Sequence, residues 1–474
     1  LTDNKGREFI LGGRPDIVIK FDKGGYGIID FKTTKISDDK SENYKHQLEA
    51  YAQIFSKPGS TKSKKTPLLN PITQSDIDEA ENFLTEHMGV FNRDDWEYIL
   101  NEHGGFLPIE IKSLDEGTVT NKKIPLLDIT NTDEKVPWLV TYIETALLRS
   151  LWYPSSVATI SREIKKIIFR YLDDTCTNFD DQLPFKLHDF GARGVSSYES
   201  SRIGGAAHLL NFLGSDTVEG AMFLKDYYDG TDISYSIPAS EHSTITAWGK
   251  DNENKAHENI INQFLLEGKV IASVIDSYDT FETASKTISS ELKEKIINSK
   301  GTLVVRPDSG KLPDTIIELL DTLSSEENFG YTLNSKGYKE LPSYIRVIQG
   351  DGVDKNSIEN ILFSMKENNY SAANITFGMG GALLQKLDRD TYSFAMKVSA
   401  IHDGNTWKDV YKEPSNDKTK NSRRGRFAIV QNDELEVVDL EKLNQTNLLK
   451  TRYKDGKLYN ETDLKVIRNK VEIN

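Results

Sequence analysis

Acidic and basic side chains follow short apolar runs throughout the middle of this 474-residue sequence. They are Asp189, Asp216, Glu241, Asp276, Asp308 and Asp351, with the bases Arg193, His242 and Arg306. Carboxylates can bind Mg²⁺ or sugar hydroxyls, and neighbouring cations can screen a phosphate. A single acid more often caps a helix or faces solvent, and a lone histidine is more often structural. Repetition after successive apolar runs favours one shared site, with His242 as a candidate general base or nucleophile.

Glycines form a second kind of cluster in "FGMGGALLQKL", residues 377–387. The pattern predicts a helix that opens at Gly380 and Gly381, where free backbone N–H groups and the helix dipole favour a phosphate. Arg389 would lie on the same helix, about two turns later at ~3.6 residues per turn. A plain tight turn is the alternative. Phe190 is either a core residue or a plate for an aromatic ligand. Together these clusters indicate a site for a phosphorylated sugar and a flat ring.

Seven apolar segments position these clusters, and most gaps between them have helical spacing. The segments are 185–194, 211–217, 235–243, 270–279, 303–310, 345–352 and 374–381. Repeated strand, polar loop and helix are typical of a parallel α/β fold, and seven such units favour a closed or nearly closed (β/α) barrel. In that fold the loops after the strands converge on one face, so the sequence predicts the site there.

The composition restricts the class of function. The net charge of −14 argues against generic attraction to nucleic acid or anionic membrane, so an anionic ligand needs local basic groups. Cys176 is the only cysteine, which excludes an intrachain disulfide or a cysteine zinc cluster. No apolar run is long enough to span a bilayer and the N-terminus has no signal-peptide pattern, so we expect a cytoplasmic protein without a membrane partner. The first residue is Leu1, which is compatible with a fragment or a processed chain.

Composition shifts predict five segments along the chain. A flanking α+β domain is expected to have two parts on either side of the barrel, and it should contain a helix that begins near Ser75 with a serine N-cap. A second helical stretch over residues 137–172 should break near Pro154. The predicted segments are a hairpin and helix fragment (1–56), a linker (57–66), the first flanking part (67–184), the barrel (185–400) and the second flanking part (401–474).

Several ordered motifs resemble the nicotinamide phosphoribosyltransferase family over about residues 67–474. They are "HDFGARGVSS", "SIPASEHSTITAWGKD", "VRPDSG", "RVIQGDGVD" and "FGMGGALLQKL". The resemblance implies a type II phosphoribosyltransferase, a pentosyltransferase with a barrel fold. It implies a homodimer whose active sites lie at the subunit interface. The implied reaction joins nicotinamide to phosphoribosyl pyrophosphate (PRPP), giving nicotinamide mononucleotide and pyrophosphate for NAD salvage.

The resemblance also implies a role for each motif residue. Phe190 would stack on the pyridine ring and Asp216 would accept the carboxamide N–H, which disfavours nicotinate. Residues expected at the PRPP end are Arg193 and Arg306 for pyrophosphate, ribose and ring, Asp308, Gly350 and Asp351 for ribose, and Gly380, Gly381 and Arg389 for the 5′-phosphate, with Lys397 and Lys412 nearby. Glu241 and Asp276 would place Mg²⁺, and His242 would be phosphorylated by ATP.

The sequence departs from that family pattern in three places. Ala192 replaces a usual aromatic residue and Ala272 replaces an expected serine, neither of which need stop catalysis. The family's N-terminal "TDSYK"-type stretch is not found in this sequence. That stretch supplies an aromatic and an acid beside the ring in the partner subunit, and a phosphate-binding arginine. We therefore expect the activity of this chain to depend on how the missing face of the ring site is provided.

The N-terminal 56 residues show another resemblance, to the PD-(D/E)xK nuclease family. Its motif residues would be Asp16, Asp30 and Lys32 on the strands and Gln47 and Tyr51 on the helix. Two carboxylates on adjacent strands can hold Mg²⁺ while a lysine orients water. Three hypotheses stay open at this stage. They are a phosphoribosyltransferase body with a foreign N-terminus, a working nuclease with a passenger body, and an inactive relic or a fragment joined from two genes.

Overall fold

The computed structural model describes residues 69–121, 123–228, 233–416 and 421–473, and the backbone of the strands within residues 9–30. The chain divides into two units, Leu1–Tyr51 and Ala52–Asn474. No described helix has the length and apolar character needed to cross a membrane.

The first unit contains a three-stranded antiparallel sheet in the order β1-β2-β3. These strands are β1 (Phe9–Gly12), β2 (Asp16–Phe21) and β3 (Gly25–Asp30). β2 and β3 coincide with the two predicted strands, whose β-branched residues favour extended backbone. β1 was not predicted. The predicted helix and the motif residues Lys32, Gln47 and Tyr51 lie outside the described residues.

A six-stranded parallel sheet forms the centre of the second unit, in the order β7-β6-β13-β12-β9-β8. Its strands are β6 (Leu187–Asp189), β7 (Gly214–Ser215), β8 (Val270–Val274), β9 (Thr302–Arg306), β12 (Ile345–Gln349) and β13 (Ile375–Met379). β9 and β12 are almost entirely buried, as expected for parallel strands covered on both faces.

One short segment joins the two edges of this sheet. Tyr235 makes a parallel bridge to Gly214 beside one edge strand, and Ala239 makes a parallel bridge to Ala272 in β8 at the other edge. The six strands and this segment therefore follow one another around a hydrogen-bonded ring in sequence order. This is the connectivity of a closed (β/α) barrel, and the seven predicted segments are its seven members.

Helices surround the ring, as the apolar spacing between the strands predicts. They are Glu144–Thr175, Tyr198–His208, Val218–Tyr227, His242–Thr246, Glu253–Phe264, Thr280–Glu282, Lys293–Ser299, Asp314–Ser324, Lys355–Glu367 and Gly381–Leu384, with a π-helix at Thr283–Glu291. Short 3₁₀ turns occur at Leu183–Phe185, Ala192–Gly194, Lys250–Asn252 and Ala372–Asn374.

The predicted helix break near Pro154 is wrong, because the helix Glu144–Thr175 continues through this residue. A proline inside a helix costs about 3 kcal/mol through its lost hydrogen bond and its steric clash. Beyond Pro154 the helix buries Val157, Ile164 and Leu172 completely in the main core. Each such side chain contributes about 1.5–3 kcal/mol by leaving water, so a few of them offset the proline.

The flanking region combines both ends of the second unit in one four-stranded antiparallel sheet, in the order β19-β18-β4-β5. Its strands are β4 (Ile109–Ser113), β5 (Leu127–Asn131), β18 (Lys450–Lys454) and β19 (Lys457–Leu458). Tyr453 of β18 packs with Ile109 and Ile111 of β4 in a second core. The sheet therefore holds the two predicted flanking parts together.

The remaining elements are short. The helices are Gln74–Met88, Arg93–His103, Leu139–Tyr142 and Leu464–Val471, with a 3₁₀ turn at Leu440–Lys442. Antiparallel pairs are formed by β10 (Thr332–Leu333) with β11 (Lys339–Glu340), β14 (Ala400–His402) with β15 (Trp407–Asp409), and β16 (Phe427–Gln431) with β17 (Leu435–Asp439). The first helix is capped by Thr73 and not by Ser75, because the Thr73 hydroxyl and Asp76 form a reciprocal capping box.

Candidate functional site

The candidate site lies at the carboxyl ends of the parallel strands, where the sequence predicts it. Asp189 ends β6, Arg306 ends β9, Gln349 ends β12 and Met379 ends β13. Because neighbouring parallel strands end on the same edge, the loops after them are brought side by side. The residues at positions 190–194, 307–310, 350–352 and 380–381 therefore share one face.

The Phe190 ring lies directly over the ends of two strands. A methyl group added at Gly378 would stand 2.0 Å from its Cε2, and one added at Gly350 would stand 3.3 Å from the same atom. Only glycine at position 378 lets the ring approach this closely. The ring also packs on Ala272, Val304 and Ile348. The aromatic ring is thus fixed against the strands by residues that the sequence placed in separate clusters.

Arg306 and Asp308 face each other across Pro307. Arg306 Nη2 lies 3.4 Å from Asp308 Oδ2, with side chains 11% and 18% exposed. Arg306 Nε and Asp308 Oδ1 are buried without a hydrogen-bond partner among the described residues. Buried polar atoms are rarely left unpaired, so these two atoms are available to a ligand.

Electrostatic coupling shows which other acids are near Asp308. Burial raises the pKa of the Asp308 carboxyl, Arg306 opposes that shift, and the negative charges of Asp276 and Asp351 raise it further. Three acids from three different loops are therefore close enough to interact. A cationic ligand group or a set of ligand hydroxyls would relieve their repulsion.

His242 and Asp276 form a pair from two further loops. His242 Nε2 lies 2.9 Å from Asp276 Oδ1, with side chains 42% and 5% exposed. Glu241 precedes the helix His242–Thr246, and its backbone N–H donates to Thr244 Oγ1 at 3.1 Å while its side chain is exposed. The buried carboxylate therefore holds one imidazole nitrogen, and the helix start fixes the position of the ring.

Asp189 is a buried acid whose function the sequence did not specify. It is fully buried, and its Oδ1 accepts the Gly191 N–H at 2.7 Å. Burial raises the pKa of this carboxyl to about 6. Asp189 therefore anchors the loop that begins with Phe190. The signal was present in the adjacent "HDF", but only the fold distinguishes a buried Asp from an exposed one.

Gln349 was also missed. Its side chain is 2% exposed, its Nε2 donates to the Asp351 carbonyl at 2.8 Å, and its Oε1 has no partner among the described residues. Gln349 thus shapes the turn that contains Asp351. A glutamine ending an apolar strand, as in "RVIQGDG", was the available signal.

The glycine loop after β13 opens a helix as predicted, but that helix is only Gly381–Leu384. Arg389 is therefore not two turns along the same helix. Its guanidinium donates to the Phe394 carbonyl at 2.9 Å and pairs with Asp390 at 2.7 Å. Sequence spacing assumed a continuous helix, whereas the chain turns after Leu384.

The other predicted ligand residues are exposed. Arg193 lies in the 3₁₀ turn Ala192–Gly194, and Asp216 accepts the Ser236 hydroxyl. Lys397 lies 3.9 Å from Glu144. Lys412 donates its backbone N–H to Ser422. The roles predicted for these residues stay predictions.

The described residues contain no group of three or more His, Cys, Asp or Glu side chains arranged to hold a metal ion. Glu241 and Asp276 therefore do not form a complete metal site by themselves. Mg²⁺ commonly uses one or two carboxylates together with water and substrate phosphates, and the single buried carboxylate of Asp276 is compatible with that mode.

The barrel and its site define the class of the protein. The sequence profile of the "Nicotinate phosphoribosyltransferase (NAPRTase) family" matches residues 185–457, which is more than half of the chain. The chain belongs to this family, a class of enzymes that transfer a pentosyl group. A profile described as "Nicotinamide phosphoribosyltransferase, N-terminal domain" matches residues 64–111.

Within this class, the chain is similar to proteins named "Nicotinamide phosphoribosyltransferase". The one from Xanthomonas campestris pv. campestris is 46% identical over 77% of this chain and 77% of the relative. The one from Mycoplasma pneumoniae is 36% identical over 68% of this chain and 71% of the relative. A solved structure, nicotinate-nucleotide pyrophosphorylase from Pyrococcus furiosus, shares the fold with a TM-score of 0.51 at 19% identity, covering 77% of this chain and 80% of its own.

The matched profile ranges, 64–111 and 185–457, do not include the N-terminal unit. In that unit Asp16 of β2 is paired with Asp30 of β3. The nuclease resemblance therefore gains no support from the matched families and stays a prediction.

Proposed function

We propose that this chain transfers the phosphoribosyl group of PRPP to nicotinamide, giving nicotinamide mononucleotide and pyrophosphate. The observation that supports this most is a fixed aromatic ring, Phe190, on the same face as the unpaired buried atoms of Arg306 and Asp308. A flat ring and a polyhydroxylated phosphate ester need these two environments next to each other. The relatives described above are named nicotinamide phosphoribosyltransferase, which agrees with this proposal.

The nicotinamide end would be read by Phe190 and Asp216. Phe190 would offer to the pyridine the side of its ring that faces away from Gly378. The Ser236 hydroxyl occupies Oδ1 of Asp216, which leaves Oδ2 to accept the carboxamide N–H. A carboxylate ligand would meet the negative charge of Asp216, so nicotinate would bind more weakly.

The PRPP end would be held by the loops beyond. Asp308 and Asp351 would accept ribose hydroxyls, with Gly350 leaving room for the sugar. Arg306 and Arg193 would screen the pyrophosphate. The 5′-phosphate would meet the N–H groups of Gly380 and Gly381, whose surroundings are open, with Arg389, Lys397 and Lys412 as further cations.

These side chains would act mainly by position and charge. The stacked ring is presented to the ribose carbon, and the cations stabilise the departing pyrophosphate. Asp308 lies beside the ribose carbon as that carbon gains positive character, so its carboxylate form is the useful one. When bound, Mg²⁺ would supply charge neutralisation to the pyrophosphate, with Asp276 and Glu241 nearby.

ATP is the second proposed cofactor. If Asp276 accepts the proton on Nε2 of His242, then Nδ1 keeps its lone pair and is free to take a phosphoryl group. The partly exposed position of His242 allows a nucleotide to reach it. Phosphorylation would add about two negative charges beside Asp276 and Glu241 and so draw Mg²⁺ and the basic side chains towards them.

We further propose a homodimer with each site at the subunit interface. Exposed residues at positions 193 and 216 would then face the partner. Sedimentation analysis of the purified chain tests this, and a monomer that is fully active would contradict it.

The activity test uses the chain with nicotinamide, PRPP, Mg²⁺ and ATP, and detects nicotinamide mononucleotide by mass spectrometry. Nicotinate is supplied in a parallel reaction. We expect product from nicotinamide. We expect Asp216→Asn to lower the ratio of kcat/KM for nicotinamide to that for nicotinate by about tenfold. Retained PRPP binding in calorimetry without any mononucleotide would contradict the proposed activity while leaving the site intact.

For residues 1–56 we retain the nuclease hypothesis as a second candidate, because the register of β2 and β3 sets Asp16 opposite Asp30. Mg²⁺-dependent cleavage of a DNA duplex tests it. Cleavage that survives Asp30→Ala would rule out this motif as its source.

A further inference from the structure

A row of buried polar side chains runs from the helix Glu253–Phe264 to the segment that leads into the helix His242–Thr246. His257, Ser273 and Ser240 are 0%, 2% and 5% exposed. His257 Nδ1 lies 2.9 Å from Ser273 Oγ, and Ser273 Oγ lies 3.3 Å from Ser240 Oγ. Ser240 Oγ in turn accepts the Val274 N–H at 2.9 Å. A polar chain in an apolar layer costs desolvation free energy, so its continuity calls for an explanation.

The direction of each hydrogen bond in this row of side chains follows from the Val274 N–H at one end. The Val274 N–H can only donate, so the Ser240 hydroxyl uses a lone pair for it and directs its own O–H elsewhere. The acceptor that the geometry provides is Ser273 Oγ, and the Ser273 O–H then donates to His257 Nδ1. In the opposite direction the Ser240 O–H would have no acceptor among the described residues. The assignment leaves the imidazole proton on Nε2 of His257.

Beyond His257, the row of hydrogen-bonded side chains reaches an acidic residue, Glu253. His257 Nε2 lies 3.8 Å from Glu253 Oε1, and the other oxygen of Glu253 accepts the Thr283 hydroxyl at 3.2 Å. Neither His257 Nε2 nor Glu253 Oε1 has a hydrogen-bond partner among the described residues. The Glu253 carboxylate therefore favours a proton on the facing nitrogen by its charge, which agrees with the direction assigned above.

The other end of this row, at Ser240, lies close in sequence to the pair His242–Asp276. Ser240 stands two residues before His242, and Val274 stands two residues before Asp276. The hydrogen bond from Val274 to Ser240 thus ties together the two segments whose next side chains form the 2.9 Å contact between His242 and Asp276. Below it, the Ser240 N–H donates to the Ala272 carbonyl at 3.0 Å.

We propose that His257, Ser273 and Ser240 are positioning residues for the pair His242–Asp276, a role that rests on the proposed function of that pair. His257 orients the hydroxyl of Ser273, which orients that of Ser240, and the Ser240 oxygen holds Val274 at the right distance. Without these side-chain hydrogen bonds, the two segments keep the backbone hydrogen bonds of Ala272 with Ser240 and Pro238. His242 then loses its fixed partner while the rest of the site stays unchanged.

The first test observes His242 directly. Ser240→Ala removes the oxygen that joins the loops, and His257→Phe keeps an aromatic side chain while removing the ring nitrogen that orients Ser273. Nitrogen NMR of ¹⁵N-histidine-labelled protein reports which imidazole nitrogen holds the proton, and His242→Gln identifies the signal among the eight histidines. We expect one tautomer with the proton on Nε2 in the unmodified chain, and a mixture of both tautomers in the two variants.

Ser289→Ala is the matched control. Ser289 is a buried serine in the neighbouring π-helix, 1% exposed, and its hydroxyl has no hydrogen-bond partner among the described residues. We expect this variant to leave the His242 signal and the kinetics unchanged. Melting curves of all three variants separate loss of folding from loss of positioning.

Kinetics provide the second readout. We expect Ser240→Ala and His257→Phe to lower the stimulation by ATP about tenfold, because small displacements of catalytic groups cost this much or more, with KM for nicotinamide unchanged. A single His242 tautomer in both folded variants would overturn the proposal. Because the NMR result does not depend on product formation, an inactive chain with the expected tautomer change would contradict the proposed function alone.

Discussion

The hydrogen bonding of buried polar side chains differs between the carboxyl ends and the amino ends of the parallel strands. At the carboxyl ends, Arg306 Nε, Asp308 Oδ1 and Gln349 Oε1 have no hydrogen-bond partner among the described residues. At the amino ends, Lys186 Nζ donates to the carbonyls of Ala373 and Ile375 at 3.0 Å each and more weakly to that of Ala372. The carboxyl ends thus leave several buried polar atoms unpaired, whereas Lys186 at the amino ends is fully paired; among the described residues Asn211 Oδ1, just before β7, is an unpaired atom on the amino side.

Asn374 is a second buried polar side chain on the amino side whose hydrogen bonds are satisfied. Its Oδ1 accepts the Leu341 N–H at 2.8 Å, and its Nδ2 donates to the carbonyls of Lys339 and Ser371 at 2.9 and 3.0 Å. An unpaired buried polar group costs about 1–3 kcal/mol, whereas a paired one is close to neutral or stabilising. The carboxyl side therefore gives up stability that a ligand restores, and the amino side maintains the fold. Substitutions on the two sides should separate activity from stability.

The largest effect is expected for Asp308→Asn on the carboxyl side. The amide cannot supply a negative charge to the ribose, so kcat/KM should fall about 100-fold. Stability should not fall, because burial already disfavours the charged form of Asp308. Steady-state kinetics and a thermal melt on the same preparation test both statements. A variant that loses stability and keeps its activity would show that Asp308 maintains the fold and does not serve the reaction.

Lys186→Met on the amino side should have the opposite signature. It leaves the Ala373 and Ile375 carbonyls unpaired, so above pH 10.5, where Lys186 is neutral in both the folded and the unfolded chain, the free energy of unfolding should fall by about 2 kcal/mol. KM values should not change, because Lys186 lies below the strands and not above them. Urea denaturation measures the first effect, with the exposed Lys269→Met as control. An intact urea midpoint would show that these hydrogen bonds do not stabilise the fold.

Gly378→Ala tests how the carboxyl side seats its aromatic ring. The added methyl group would overlap the Phe190 ring, so we expect KM for nicotinamide to rise about tenfold. In a Phe190→Ala background the same substitution should add little, because no ring remains to be displaced. Equal costs in both backgrounds would mean that Gly378 acts through something other than Phe190.

Per pH unit, the smallest effect is a pH dependence of stability with opposite sign on the two sides. Burial lowers the pKa of Lys186 from 10.5 to about 7, so between these values the unfolded chain binds the extra proton. Stability should therefore rise with pH in this window, by about 1 kcal/mol per unit, and Lys186→Met should flatten that slope. Unfolding midpoints at several alkaline pH values provide the measurement.

The acid on the other side behaves inversely. Burial raises the pKa of Asp189 from 3.8 to about 6, so between these values the folded chain binds the extra proton. Its contribution to stability is complete below the lower value and is lost as the pH rises through the upper one. Asp189→Asn should remove this slope while keeping the Gly191 hydrogen bond. If the slope of stability against pH persists in this variant, another titratable group causes it.

The sequence by itself determined the parallel α/β fold and the face on which the site lies. Seven apolar runs with helical spacing between them leave few other topologies, and the polar residue at each strand end is visible in the chain. The sequence shows glycine at positions 378 and 350, but it does not show that these glycines make room for the Phe190 ring. The family motifs predicted which residues form the site, and the roles of these residues stay predictions.

Tertiary structure alone decided the rest, because it depends on contacts between residues far apart in the chain. The sequence predicted segment 235–243 as part of a closed or nearly closed barrel, but only the structure shows that its residues bridge both edges of the sheet. The helix after Gly381 ends early and Pro154 stays inside a helix, because packing outweighs local propensity at both places. Burial of Asp189 and Lys186, and the link from His257 to the His242 loop, likewise exist only once the strands are side by side.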